Sequence, residues 1–245
     1  GGKDGKIKPG DGRRRMMGLT EELKTLLFQN GAALVGIGDL RGVRGCDYDT
    51  GISVAALLPE NVIRDLQHAP TKEYYDLYYS LNDRLNEIVK AGESLLQEKG
   101  FSAYAQTTDR VKVDSDRCSK LPHKTVAVKA GLGWIGKNGL LVTEKFGSAV
   151  RISSLLTNAP LKHDIPVESS QCGACTLCVK SCPAQALSGT LWKAGTEREK
   201  IVDVEKCYEK QSEIMYGATG IKTDLCGKCF AVCMYTQRYL NKSRK

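Results

Sequence analysis

The spacing of its cysteines constrains this chain more than any other feature. Cys172, Cys175, Cys178 and Cys182 form a C-x2-C-x2-C-x3-C run closed by Pro183. Cys226, Cys229 and Cys233 repeat the spacing of its last three members, with Cys207 upstream and Met234 where a second proline would stand. Two-residue gaps wrap three sulfurs around one centre on a short loop, while the fourth sulfur points toward a second centre.

Four thiolates arranged tetrahedrally are what a 4Fe-4S cubane requires, and in paired-cluster runs the fourth Cys of each run serves the other cluster. That rule groups Cys172, Cys175, Cys178 and Cys233 on one cluster, and Cys182, Cys207, Cys226 and Cys229 on the other. The crossover makes the two sites one folding unit. Structural zinc also uses C-x2-C pairs, but zinc ribbons join two separate knuckles and need no third Cys two residues further on. A disulfide framework suits small secreted chains, whereas this one has 245 residues and no signal-peptide pattern at its start. A reducing, cytoplasmic compartment is therefore expected. Cys46 and Cys118 are left over and read as buried fillers.

The formal charge of +8 looks like a nucleic-acid signal until it is located. Residues 1–15 hold six cations against Asp4 and Asp11, a net +4, and read as a flexible basic arm or a cloning remnant. Two resting clusters with their thiolates would add roughly −2 each and bring the remaining +4 to about zero. The body is thus not strongly basic. No apolar run approaches the length of a membrane span, so no membrane partner is expected.

Four ranges follow: the arm at 1–15, an α/β core at 16–165, a double-cluster segment at 166–240 and a basic tail at 241–245. Within the core, Thr20 is positioned to cap a helix from Glu21 to Asn30, with Gly31 as its stop. Strands are expected at Ala33 to Ile37, Ile52 to Leu58 and Phe101 to Gln106, and also at Leu140 to Val142 and Ala149 to Leu156. Between Thr71 and Lys99, Tyr74, Leu77, Tyr78, Leu81, Leu85 and Ile88 recur at helical spacing, and the tyrosines read as core rather than as a cofactor box. A short helix is expected from Lys124 to Ala130.

After that helix, Gly131-Leu132-Gly133-Trp134-Ile135-Gly136 spells G-x-G-x-x-G. A dinucleotide site needs a strand before the glycines and a helix after them, and here the order is reversed, so that reading is rejected. The run AGLGWIGKNGLLVTEKFGSAVRISSLLT, followed by CGACTLCVKSCP and C-x18-C-x2-C-x3-C, resembles the epoxyqueuosine reductases and, more distantly, the reductive dehalogenases, from about Val113 to Tyr235. The resemblance implies an α/β (α+β) nitroreductase-like core of the cobalamin type, followed by a small two-cluster ferredoxin-like module that feeds it electrons. It also implies that Gly133, Trp134, Gly136, Lys137, Ser148 and Arg151 line the corrin.

In that family an aspartate in a Val-Asp-Ser/Thr motif supplies a proton, and Val113-Asp114-Ser115 matches it. Asp116 is a rival, because the spacing from Asp114 to Gly131 is longer than the family's. His123 is a further candidate acid, although a histidine beside a proline ahead of a helix is more often a hydrogen-bonding group. His68 and His163 read as surface residues. The expected partners are an external electron donor (a ferredoxin, flavodoxin or reductase) and a small-molecule substrate. Epoxyqueuosine reductases continue past their clusters into a helical-repeat region that helps hold tRNA; this sequence stops twelve residues after Cys233, so a tRNA substrate is not expected. Two alternatives stay open: a flavin in the core, or an electron-transfer protein with no organic cofactor.

Overall fold

A computed structural model describes residues 9–242, with side chains from Gly18 onward. Residues 1–8 of the basic arm and 243–245 of the basic tail lie outside the described residues. The first half runs α1 (Pro9–Gln29), β1 (Leu34–Asp39), β2 (Thr50–Leu57), α2 (Glu60–Asp65), α3 (Lys72–Glu98) and β3 (Ala103–Ala105). It continues through α4 (His123–Lys129), a two-residue pair β4 (Trp134–Ile135) and β5 (Leu141–Val142), and β6 (Val150–Thr157).

Four strands form one antiparallel sheet in the order β1-β2-β6-β3, with Ile52 opposite both Ile37 and Leu155. Successive residues of a strand face opposite sides of the sheet. Accordingly Leu155 joins the core beneath α1 and α3, with Leu23, Leu27, Leu85 and Ile88, whereas Leu156 packs with Leu40, Leu121 and Val126 beneath α4. The sheet is thus covered on both faces.

α3 begins where Thr71 Oγ1 accepts the Tyr74 N–H at 3.1 Å, a side-chain cap of the usual kind. Thr20 does not cap a helix, as the sequence suggested. It lies inside α1, which begins at Pro9 and so takes in part of the stretch read as an arm; its buried Oγ1 accepts from the Lys162 N–H at 3.0 Å. α4 lies close on β1 because Gly36 and Gly38 have no side chains. A Cβ at Gly36 would stand 2.2 Å from the Ala130 carbonyl oxygen, and one at Gly38 would stand 2.5 Å from the Lys129 carbonyl carbon.

The cysteine-bearing half adds α5 (Leu177–Ser181), α6 (Val204–Thr219), α7 (Lys228–Ala231) and α8 (Met234–Lys242). Its apolar residues share the core of the sheet. Met215, Leu225, Phe230, Ala231 and Leu240 belong to the same buried cluster as Ile52 and Ile88, while Trp192, Ile201 and Cys233 pack with Trp134 and Val142. Among the described residues, no helix is long and apolar enough to cross a membrane.

Candidate cluster sites and the adjoining cavity

The two cysteine groups deduced from spacing occupy two different cavities. Cys172, Cys175, Cys178 and Cys233 line a small one of about 20 Å³, together with Lys137, Asn138, Val142, Met234 and Tyr235. The loop closes on itself through a bond from the Cys175 N–H to the Cys172 carbonyl at 3.1 Å, and α5 carries Cys178. Cys233 arrives from the opposite end of the segment, with Met234 opening α8 directly after it. Burial and the neighbouring thiols, Cys233 first, push the Cys178 thiol up to about 11.

Cys182, Cys207, Cys226 and Cys229 line the wall of a second, larger cavity of about 580 Å³. Cys207 sits one turn into α6, whose start is capped by Asp203, and its sulfur accepts from Gln211 Nε2 at 3.1 Å. Gly227 takes a left-handed conformation (φ 80°) between Cys226 and α7, which brings Cys229 back beside Cys226. Burial pushes the Cys229 thiol well above its ordinary range, and Cys226, Cys207, Cys178 and Cys182 act in the same direction. Thiols raised this way resist ionisation until a positive centre draws the proton off, as iron or zinc does. Among the described residues, no three His, Cys, Asp or Glu side chains converge as ligands of a single metal ion would.

The larger cavity reaches from those cysteines to the sheet. Tyr74 and Tyr78 of α3, His123 and Lys124 of α4, Asn138, Ser148 and Arg151 all line it. The Arg151 guanidinium carbon lies 3.7 Å from the centroid of the Tyr78 ring, and its Nε donates to Asn82 Oδ1 at 2.9 Å. His123 Nδ1 is paired with Ser154 Oγ at 2.9 Å. Burial, aided by the Arg151 charge, pulls the His123 imidazole down to about 4. Burial also lowers Lys124, whose ammonium donates to the Gly139 carbonyl at 2.7 Å.

No protein-family model matches the chain. An epoxyqueuosine reductase of Lactococcus garvieae is 31% identical over 169 residues, covering 66% of this chain and 42% of the relative. One from Synechocystis is 35% identical over 130 residues, 49% of this chain and 41% of the relative. This chain resembles the epoxyqueuosine reductases. It spans less than half the length of these two relatives. A crystal structure of an epoxyqueuosine reductase with a modified tRNA-Tyr stem loop superposes with TM-score 0.59 at 20% identity, over 90% of this chain and 66% of that one. The Bacillus subtilis epoxyqueuosine reductase, described with its catalytic aspartate loop swung out of the active site, gives 0.58 at 20%, over 90% and 66%. A reductive dehalogenase described as B12-dependent gives 0.64 at 20%, over 100% of this chain and 36% of that one. The fold is therefore shared with both groups of reductases.

Of the residues expected along a corrin from the epoxyqueuosine reductase resemblance, Ser148 and Arg151 line the larger cavity, whereas Gly133, Trp134, Gly136 and Lys137 do not. Gly133 is needed by the β4–β5 pair, where a Cβ would stand 2.1 Å from the Val142 carbonyl oxygen. Trp134 is buried edge-on against Tyr235, and a Cβ on Gly136 would stand 2.6 Å from Asn138 Oδ1. Lys137 turns into the smaller cavity. The glycine run thus shapes a hairpin between α4 and the cysteine loop, an order of helix before glycines that agrees with rejecting a dinucleotide site.

Asp114 and Asp116 are exposed on a hairpin bridged at Val113 and Ser119. Asp114 Oδ1 accepts from the N–H groups of Asp116 at 3.0 Å and Cys118 at 2.8 Å, so it organises its own turn. Arg198, which with Arg117 and Ser119 lines the larger cavity, holds the hairpin by donating to the carbonyls of Asp116 at 2.8 Å and Arg117 at 3.1 Å. His123 lines the cavity, its imidazole pulled down to about 4 because burial favours the neutral form. His68 is exposed, while His163 is half-buried with Nε2 3.0 Å from Thr50 Oγ1.

Sequence reasoning missed Tyr74 and Tyr78 as cavity residues, because a helical stripe of tyrosines carries the signature of core packing. Here the two overlap. Tyr74 is buried against Phe230, with ring centroids 6.1 Å apart, and its phenol is pushed upward by burial.

Proposed function

We propose that this chain is an iron-sulfur reductase of the epoxyqueuosine reductase type, in which two 4Fe-4S clusters serve a corrinoid in the larger cavity. One observation carries the reading: the second group of cysteines and the residues Tyr78, His123, Ser148 and Arg151 share a single cavity. Its volume of about 580 Å³ lies in the usual range of about 300–1,000 Å³ for cofactor and ligand sites. Residues 16–165 then form the cofactor core, and 166–240 a ferredoxin-like module.

The donor sets suit the groups assigned to them. Two sets of four thiols, each lining its own cavity, match the four thiolates that each multi-iron cage needs. Cys172, Cys175, Cys178 and Cys233 would hold one cage, and Cys182, Cys207, Cys226 and Cys229 the other. Ser148, Arg151 and Tyr78 would hold the organic cofactor. When bound, the clusters supply single electrons and the corrinoid supplies a strongly reducing metal centre. Kinship in fold with a B12-dependent dehalogenase favours a corrinoid over a flavin.

The protein's own contribution is dryness, orientation and protons. Reducing an epoxide to an alkene and water consumes two electrons and two protons, so an acid must reach the cavity. Asp114 fits this role if its hairpin moves inward, as a mobile aspartate loop in the Bacillus subtilis relative suggests. The expectation that tRNA is not the substrate runs against these relatives, one of which is bound to a tRNA stem loop. An epoxide carried on tRNA is therefore the first substrate to test.

Anaerobic reconstitution decides the matter. The reading expects about eight irons and eight sulfides per chain, and a changed cobalamin spectrum on binding. Stoichiometric zinc without sulfide would overturn the clusters, and intact clusters with no corrinoid binding would overturn the cofactor.

A further inference from the structure

Lys137, which the resemblance placed along a corrin, turns into the smaller cavity. Its side chain is buried, with 6% of the residue exposed, and its ammonium donates to the carbonyls of Gly173 at 2.8 Å and Cys175 at 3.0 Å. Both acceptors belong to the loop that presents Cys172, Cys175 and Cys178. No ion pair involves Lys137 among the described residues, and it is the one basic side chain, with no carboxylate beside it, among the cysteines, Asn138, Val142, Met234 and Tyr235 of the smaller cavity.

A buried ammonium without a carboxylate costs several kcal/mol unless an opposite charge lies close. Two carbonyl dipoles offset part of that cost, and nothing else in the wall offers a negative charge. A cubane with four thiolates carries roughly −2 when oxidised and gains one more negative charge on reduction. The carrier of the missing charge is therefore the group that the same four cysteines would hold.

We infer that Lys137 is the built-in counter-charge of the cluster held by Cys172, Cys175, Cys178 and Cys233, pinning its loop and raising its reduction potential. The inference rests on the cluster reading above. A fixed positive charge in a medium of low dielectric constant stabilises the more negative, reduced form. The larger cavity has several cations along its wall, among them Lys124, Arg151 and Lys228, so no single residue there has the same hold on the second cluster.

Reconstituted wild-type protein, Lys137→Met and Lys137→Arg are compared by redox titration with electron paramagnetic resonance detection, beside iron and sulfide content. In Lys137→Met, one of the two clusters should become harder to reduce by about tenfold in its reduced-to-oxidised ratio at fixed potential, or about 59 mV for one electron. The other cluster should not move, and Lys137→Arg should restore most of the shift. Loss of one cluster from Lys137→Met, with both retained in Lys137→Arg, also supports the role, since the pinned loop then depends on the cation. Unchanged potentials in Lys137→Met would overturn it, as would equal shifts in both variants or loss of both clusters from both. Wild-type protein that binds no iron and sulfide would instead defeat the cluster reading itself.

Discussion

His123, on the wall of the larger cavity, has its Nδ1 2.9 Å from Ser154 Oγ, and burial beside the Arg151 charge favours its neutral imidazole. The folded group titrates at about 4, against an ordinary value of 6.5, chiefly because burial disfavours the imidazolium. Between those values the unfolded chain binds the proton more readily than the folded one. Stability from this group is therefore present above about pH 6.5, is lost as the pH falls toward about 4, and amounts to at most about 3 kcal/mol. Denaturant titrations from pH 7.5 to 4.5 should show that decline, and His123→Gln should flatten it. An unchanged slope in the variant would refute the assignment.

The cysteine crossover makes a prediction that a simple reading of two consecutive motifs does not. Cys233→Ser lies in the second half-motif but lines the cavity of the first set, so it should disturb the same cluster as Cys172→Ser. Cys182→Ser should disturb the same cluster as Cys226→Ser. Each single variant should retain the other cluster, with iron falling from about eight toward four per chain. Paramagnetic resonance should show matching spectra within each pair and different spectra between pairs.

Asp114→Asn should separate the turn from the chemistry. The amide oxygen can still accept from the Asp116 and Cys118 N–H groups that Asp114 Oδ1 now holds, so the hairpin should keep its shape. Lacking a transferable proton, the variant should turn over an epoxide substrate about 10²–10⁴-fold more slowly, with iron content and melting temperature unchanged. A rate equal to wild type would move the acid elsewhere in the cavity.

Gly36→Ala should destabilise the protein by about 1–3 kcal/mol, because the new methyl meets a backbone carbonyl that cannot swing aside. Its closest neighbour is the Ala130 carbonyl oxygen at 2.2 Å. Gly18→Ala is the control, since its added methyl meets nothing within 4 Å. That change, inside α1, should be neutral or stabilising by up to about 1 kcal/mol. Thermal unfolding of the two variants checks both signs at once.

The amino-acid sequence alone determined the grouping of the eight cysteines, the helical stripe of α3 and the order of elements around the glycine run. Each of these is a matter of local spacing, with two-residue gaps bringing thiols onto one loop and a 3.6-residue period giving one helix face. Only the tertiary structure decided which way the side chains between those landmarks point. Lys137 reads as a ligand-facing cation and turns toward the cysteine loop, while Tyr78 reads as core and faces the cavity under Arg151. Thr20 reads as a cap and is enclosed by a longer helix that bonds Lys162, far along the chain. The physical reason is common to all three. Local pattern sets a residue's position on its own element, whereas its partners come from the segment packed across it, and here that segment lies as many as 142 residues away.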